Sequence, residues 1–285
     1  MVGRGGRREN LMELGLISFV LDMFGKLRGL GKWLRTRRFR QVFGEDSNKK
    51  FYVIYSVYRS PSRGIIFPKP KPEVVRRRAC GGTNLSTVNS CATTRAVGHL
   101  VYGFGENVKI APIILSDKDT DEDMELSFIS IGGITNFKTV DLLENSSNKF
   151  FDYEKGSIIA KGSRRALVRA GKESGFDHGF IIKVNPSNNM RRTWICCGGV
   201  AEWGTSGAAW YLVHRWKEIR KFAKGKPFAC ITKTRVGSDD STEAIYKFLS
   251  GGEVKSATEV ISQSESMVGK DVETAGTVNE RKLKS

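Results

Sequence analysis

An α/β fold around a mostly parallel central sheet is predicted by three features of this chain. Two apolar runs each end in a Gly-Gly pair and lead into a stretch with helical spacing. Upstream of both, an aromatic-rich run, a helical stretch and a further apolar run follow in the order of a βαβ unit. Helices on both faces of such a sheet make a Rossmann-like three-layer sandwich, preceded here by an N-terminal amphipathic helix and followed by a disordered C-terminal tail. The corresponding divisions are a basic arm over 1–44, the α/β domain over 45–249 and the tail over 250–285.

Residues 10–40 draw as an amphipathic helix with Leu16, Phe19, Val20, Met23, Leu27, Leu30 and Leu34 on one side. Lys26, Arg28, Lys32, Arg35, Arg37 and Arg38 crowd its later turns. Glu13, Asp22 and Lys26 interrupt the apolar run that a spanning helix needs, so a helix lying in a membrane interface fits better, with Trp33 and Phe39 at headgroup level. Docking on the domain or on a second copy of the chain is the equal alternative, and nucleic acid ranks behind both. Asp22 and the lack of a small-residue cleavage site count against a secretory signal.

Phe51 to Tyr58 is rich in aromatic and β-branched residues and reads as the first strand. Pro61, Pro68, Pro70 and Pro72 exclude regular helix from the loop that follows, and after Cys80 to Asn84 a helix can start at Ser86 or Thr87 and run to about Tyr102. Val108 to Leu115 is the next expected strand. The acidic stretch Ser116 to Glu125 lacks calcium-loop spacing and reads as a solvated turn in preference to a Mg²⁺ site. In the first glycine junction Leu126 to Ile131 is the strand, Gly132 and Gly133 the turn, and Thr135 or Asn136 precedes a helix bearing Phe137, Val140, Leu142 and Leu143. Phe150 to Ala160 and Gly179 to Val184 are expected as strands, paired through the basic segment Lys161 to Lys172. The second junction runs from the strand Thr193 to Cys197 through Gly198 and Gly199 to a helix capped by Thr205 or Ser206, with Ala209, Leu212, Val213 and Trp216 on its packing face. Phe228 to Val236 is the last expected strand.

The net charge of +17 suggests nucleic acid until it is located: residues 1–78 hold 19 Lys and Arg against 6 Asp and Glu, and the remaining residues hold 28 against 24. The excess belongs to the arm, which seeks an anionic surface, and the domain is nearly balanced. Cys80, Cys91, Cys196, Cys197 and Cys230 form no CxxC pair and read as reduced thiols of a cytoplasmic protein, peripheral at the inner face of the membrane if the arm binds lipid. His99, His178 and His214 have no zinc spacing, so no metal site is expected.

In open α/β sheets ligands bind outside the carboxyl ends of the strands, where the direction of chain progression reverses. The candidate ligand-binding residues are therefore Gly132, Gly133, Thr135, Asn136, Gly198, Gly199, Glu202, Trp203, Gly204, Thr205 and Ser206. Asn136 would read a base or sugar edge, Thr205 and Ser206 would hold a phosphate with their amides, Trp203 would stack on a ring, and Glu202 would take a ribose hydroxyl or act as a base. Each glycine junction reads equally well as close helix–strand packing. Neither matches a GxGxxG or GxxxxGK[ST] fingerprint, which disfavours ordinary dinucleotide binding and P-loop hydrolysis. Asp177 and His178 read as a turn in preference to an acid–base pair. No catalytic residue or cofactor is identified.

The ordered set ISIGGITN, DHGFIIKVNP and WICCGGVAEWGTSGAAW resembles a group of uncharacterised bacterial and archaeal proteins with IGGPxxN-type and GxxxWGT-type strand-loop-helix junctions. The resemblance covers roughly residues 51–236, departing at Ile134, where the group tends to have Pro, and at His178, where Tyr is usual. It implies a common architecture and common loops. The function expected is binding of a nucleotide or nucleotide-derived phosphometabolite by a sensor or regulatory module. The rivals are a nucleotide-processing hydrolase or transferase and a non-catalytic protein-interaction domain; a homo-oligomer fits any of them.

Overall fold

The computed structural model describes residues 29–48, 50–56, 86–117, 119–120, 126–154, 156–162, 166–169, 175–186 and 190–249, with only the backbone of 48 and 86–90. The loop at Cys80 to Asn84, the arm before residue 29 and the expected tail lie outside these residues, as do parts of the acidic and basic segments at 116–125 and 161–172. In chain order the helix α1 (29–43) is followed by β1 (Tyr52–Tyr55), α2 (Ser86–Val108), β2 (Ile113–Ser116), β3 (Phe128–Ile131) and α3 (Phe137–Glu144). Then come β4 (Phe151–Glu154), β5 (Ser157–Ala160), β6 (Ala166–Arg169), β7 (Phe176–Val184), β8 (Trp194–Gly199), α4 (Glu202–His214), α5 (Trp216–Ala223), β9 (Phe228–Arg235) and β10 (Ser238–Leu249).

Seven strands form the main sheet in the order β10-β9-β7-β8-β3-β1-β2. The strands β2, β1, β3 and β8 are parallel, whereas β7 runs antiparallel to both β8 and β9, and β10 antiparallel to β9. The chain is thus a mixed α/β protein, and the expected mostly parallel arrangement holds only for the half of the sheet that ends at β8. The reason is connection length. The link at 185–193 is too short for a crossover helix, and Val236 and Gly237 make a turn with Gly237 at φ +92°, so both neighbours must return antiparallel.

Side-chain alternation along the strands divides the core into two faces. Val53, Ile129, Ile131, Ile181, Ile195, Cys197 and Cys230 pack with α1, α2, α4 and α5, while Phe180, Ile182, Val184, Cys196, Ala229 and Ile231 pack with α3 and with a second, three-stranded sheet β4-β5-β6. Burial pushes the Cys196 thiol up to about 11 and that of Cys230 to about 12, as suits small apolar packing groups.

Several expected boundaries move. The stretch Phe150 to Ala160 is a hairpin turning at Gly156 (φ +70°), and it pairs with β6 instead of β7. Helix α2 continues to Val108, so β2 begins only at Ile113. The helix expected to start at Thr205 or Ser206 starts at Glu202. A twelve-residue strand, β10, follows the one expected to be last; its opening SDDST has none of the apolar content that marks a buried strand.

Lys183 lies on β7 at 2% exposure, and its ammonium donates to the carbonyls of Gln41 in α1 (3.0 Å) and of Gly225 after α5 (3.2 Å). Burial lowers its pKa from 10.5 to about 8. Between those values the unfolded chain holds more protons than the folded one, so stability rises with pH across that window. Urea titrations at pH 7, 8, 9 and 10 should show this rise in the native protein and a smaller one in Lys183→Met.

Candidate functional site

The carboxyl ends of β1, β3 and β8 bring both glycine junctions to one edge of the sheet, since β3 and β8 are hydrogen-bonded neighbours. At the first junction Gly132 adopts φ +105°, a left-handed conformation that glycine tolerates. Asn136 caps α3: its Oδ1 accepts from Lys138 N, and its Nδ2 donates to Ile54 O and Ile131 O, each at 2.9 Å. This buried amide ties β1, β3 and α3 together and has no hydrogen atom left for a base edge. Thr135 is half-buried, and its carbonyl accepts from Ser56 Oγ at 2.8 Å. Asp117, from the end of β2, accepts from Phe137 N at 3.3 Å in the first turn of α3.

The second junction is built by close approach. A Cβ on Gly204 would lie 2.1 Å from His178 O, and one on Gly179 would lie 2.1 Å from Gly204 O, so α4 starts with backbone against backbone. Gly199 and Gly207 are similarly confined, while Gly198 lies beneath the Phe180 ring. Here close packing accounts for glycine without a ligand.

Ala201, the N-cap of α4, makes no side-chain capping bond. Asp177 supplies the cap from β7: its Oδ2 accepts from Gly204 N at 2.6 Å, and its Oδ1 accepts from Ala201 N at 3.2 Å and His178 N at 2.7 Å. Burial raises its pKa above 3.8 against the lowering effect of these three bonds. A carboxylate of the same chain thus occupies the Ala201 and Gly204 amides at the start of α4, as Asp117 occupies Phe137 N at α3. The Thr205 and Ser206 amides, offered to phosphate on sequence grounds, lie inside the helix, where Thr205 N donates to Ala201 O at 3.4 Å. Thr205 and Ser206 are also engaged internally. Thr205 Oγ1 donates to Ala201 O at 3.1 Å, and Ser206, fully buried, meets Asp239 Oδ1 at 2.5 Å.

Glu202 and Trp203 remain partly accessible, and α2 brings Arg95 to both. Its guanidinium lies 2.9 Å from Glu202 Oε1 and 3.9 Å from the centroid of the Trp203 ring, with further contacts to Ser206 Oγ (3.3 Å) and Asp239 Oδ2 (3.4 Å). His99 Nε2 lies 3.0 Å from the same Asp239 oxygen. Burial pushes Asp239 up, but the His99 and Ser206 hydrogen bonds and the charges of His99 and Arg95 hold it below 3.8. On the other sheet face Tyr153 from β4 stands 3.4 Å from where a Gly133 Cβ would be; burial and then the Asp177 charge raise its phenol to about 12.

Sequence reasoning missed Arg95, His99, Asp117, Tyr153 and Asp239. Only the one-turn spacing of Arg95 and His99 was a signal, and it names no partner. Among the described residues no group of three or more His, Cys, Asp and Glu could hold a metal ion. The chain matches no protein-family model, no curated protein and no solved structure in the comparisons made.

Asp177→Ala should cost about 2 kcal/mol by leaving buried amides unpaired, read as a lower urea midpoint, with Asp177→Asn costing less. Asp239 has a depressed pKa, so its contribution is complete above pH 3.8 and lost as pH falls through its folded value. The melting temperature of Asp239→Asn should accordingly lie below that of the native protein at pH 7, and the gap should narrow at pH 3.

Proposed function

We propose that the domain binds a nucleotide or nucleotide-derived phosphometabolite at the carboxyl ends of β1, β3 and β8 and acts as a sensor or regulatory module. The observation that carries this reading is the reversal of chain progression beside β1. From β1 the chain passes through α2 to β2 on one side, and from β3 it moves to the other side, with α2 and α3 packed on opposite sheet faces. Crevices of this kind are where α/β sheets with a Rossmann-like parallel half receive ligands.

The recognition chemistry rests on side chains, because the Phe137 amide already serves Asp117 and the Ala201 and Gly204 amides serve Asp177. In this reading a base stacks on Trp203, and Arg95, whose guanidinium now lies 3.9 Å over that ring, turns to meet a phosphate. Meeting it exchanges the 2.9 Å contact between Arg95 and Glu202 and frees that carboxylate for a ribose hydroxyl. Gly132, Gly133 and Thr135 follow β3, the strand next to β8, and in this reading they form the facing wall.

Thermal unfolding of the full chain with nucleotides, nucleotide sugars and cyclic dinucleotides tests the reading. One ligand class present at 100 times its Kd should add about 2.7 kcal/mol of stability, and Trp203→Ala or Arg95→Gln should remove the shift. Absence of a shift across the panel overturns nucleotide binding. Product formation that Glu202→Gln abolishes replaces the sensor with a nucleotide-processing enzyme.

A further inference from the structure

Helix α1 meets the domain with one face only. Phe39, Val42 and Phe43 are buried, with the Phe39 ring 4.1 Å from Phe43 and 5.5 Å from Trp216. Earlier in the helix Arg35 Nε donates to Asn107 Oδ1 at 2.9 Å, and Thr36 Oγ1 reaches Asn107 O at 3.5 Å. The sequence division at residue 44 therefore falls beyond side chains that belong to the domain core.

Among the described residues the opposite face is exposed. Leu30 precedes Phe39 by nine residues, about two and a half helical turns, which puts the two on opposite sides. Leu30 is 52% and Trp33 55% exposed; Arg37 lies 5.3 Å over the Trp33 ring, and both Arg37 and Arg38 are exposed. In the sequence, Leu16, Phe19, Val20, Met23 and Leu27 recur at the same helical spacing as Leu30 and Leu34.

We infer that this outward face of α1 is a docking surface for a bilayer carrying anionic headgroups, with Leu30 and Trp33 entering the interface and Arg37 and Arg38 meeting lipid phosphates and carboxylates. Charge and apolarity together select this occupant. An excess of 13 positive charges over residues 1–78 complements an anionic leaflet, and the exposed Leu30 and Trp33 give lipid an apolar contact that nucleic acid does not use. No helix among the described residues is long and apolar enough to cross a membrane, so the helix lies along the surface. This inference does not depend on the ligand crevice.

The test is co-sedimentation of the full chain with phosphatidylcholine vesicles with and without phosphatidylserine. Pelleting should require phosphatidylserine and weaken with salt. It should fall roughly thirtyfold in Arg37→Gln/Arg38→Gln, from the worth of a cation near a charged leaflet, and about tenfold or more in Leu30→Ser/Trp33→Ser. Unchanged thermal unfolding of both variants would show that the domain still folds, since these side chains point away from the core. Absence of pelleting, or pelleting that the Leu30/Trp33 variant retains in full, overturns the assignment. So does a dimer in analytical ultracentrifugation that this variant dissolves, because the face would then belong to a second copy.

Discussion

Contact of backbone with backbone at the start of α4 is the constraint on which the rest of the arrangement depends. A helix normally stands off a sheet by the thickness of its side chains, about 10 Å between layers. At Gly204 and Gly179 nothing intervenes, since a methyl group on either would lie 2.1 Å from a carbonyl oxygen. The approach lets a short aspartate on β7 reach the first-turn amides of α4, and it lowers Ser206 onto Asp239 of β10. It also leaves Glu202 and Trp203 on the flank that faces α2, where Arg95 joins them. One steric permission thus links β7, β10, α2 and α4.

What the two helix starts do with their positive ends redirects the functional reading. A free helix N-terminus attracts an anion, and a strand–glycine–helix junction is a familiar way to present one. Here Asp117 and Asp177 act as resident anions, so the attraction is spent on holding the fold. The proposed recognition then rests on groups with some exposure, chiefly Arg95, Glu202 and Trp203. Arg95 is shared between two carboxylates, an arrangement that can change partners without leaving a buried charge unpaired.

Local pattern made much of this legible in the sequence. The parallel strands β1, β3 and β8, the helix α3 and its Asn136 cap follow from apolar runs, glycine pairs and capping preference, each of which acts within a few residues. Information that depends on distant residues was not legible. The cap of α4 lies 24 residues upstream of Ala201, and nothing near Thr205 shows that the position is already inside a helix. Likewise, Asp239 receives His99 from 140 residues away, and β10 opens with polar residues whose strand character comes from pairing with β9. Pairing direction was the other gap, because alternation of side chains looks the same in parallel and antiparallel strands and only connection length separates them.

The adjacent Cys196 and Cys197 point into different halves of the core, and they nearly erase a signal that usually keeps a strand aligned. A slip of β8 by one residue would replace one thiol with another and barely alter the chemistry there. Alignment must be enforced next door. Gly198 pairs with Phe180 across β7, and a Cβ in its place would lie 2.3 Å from the ring tip. Sliding β8 forward drives Cys197 into that ring, and sliding it back puts Gly198 where the Cys197 side chain was and opens a void. The glycine beneath the ring works as a detent: the strand can settle in one position, and the aromatic side chain opposite decides which.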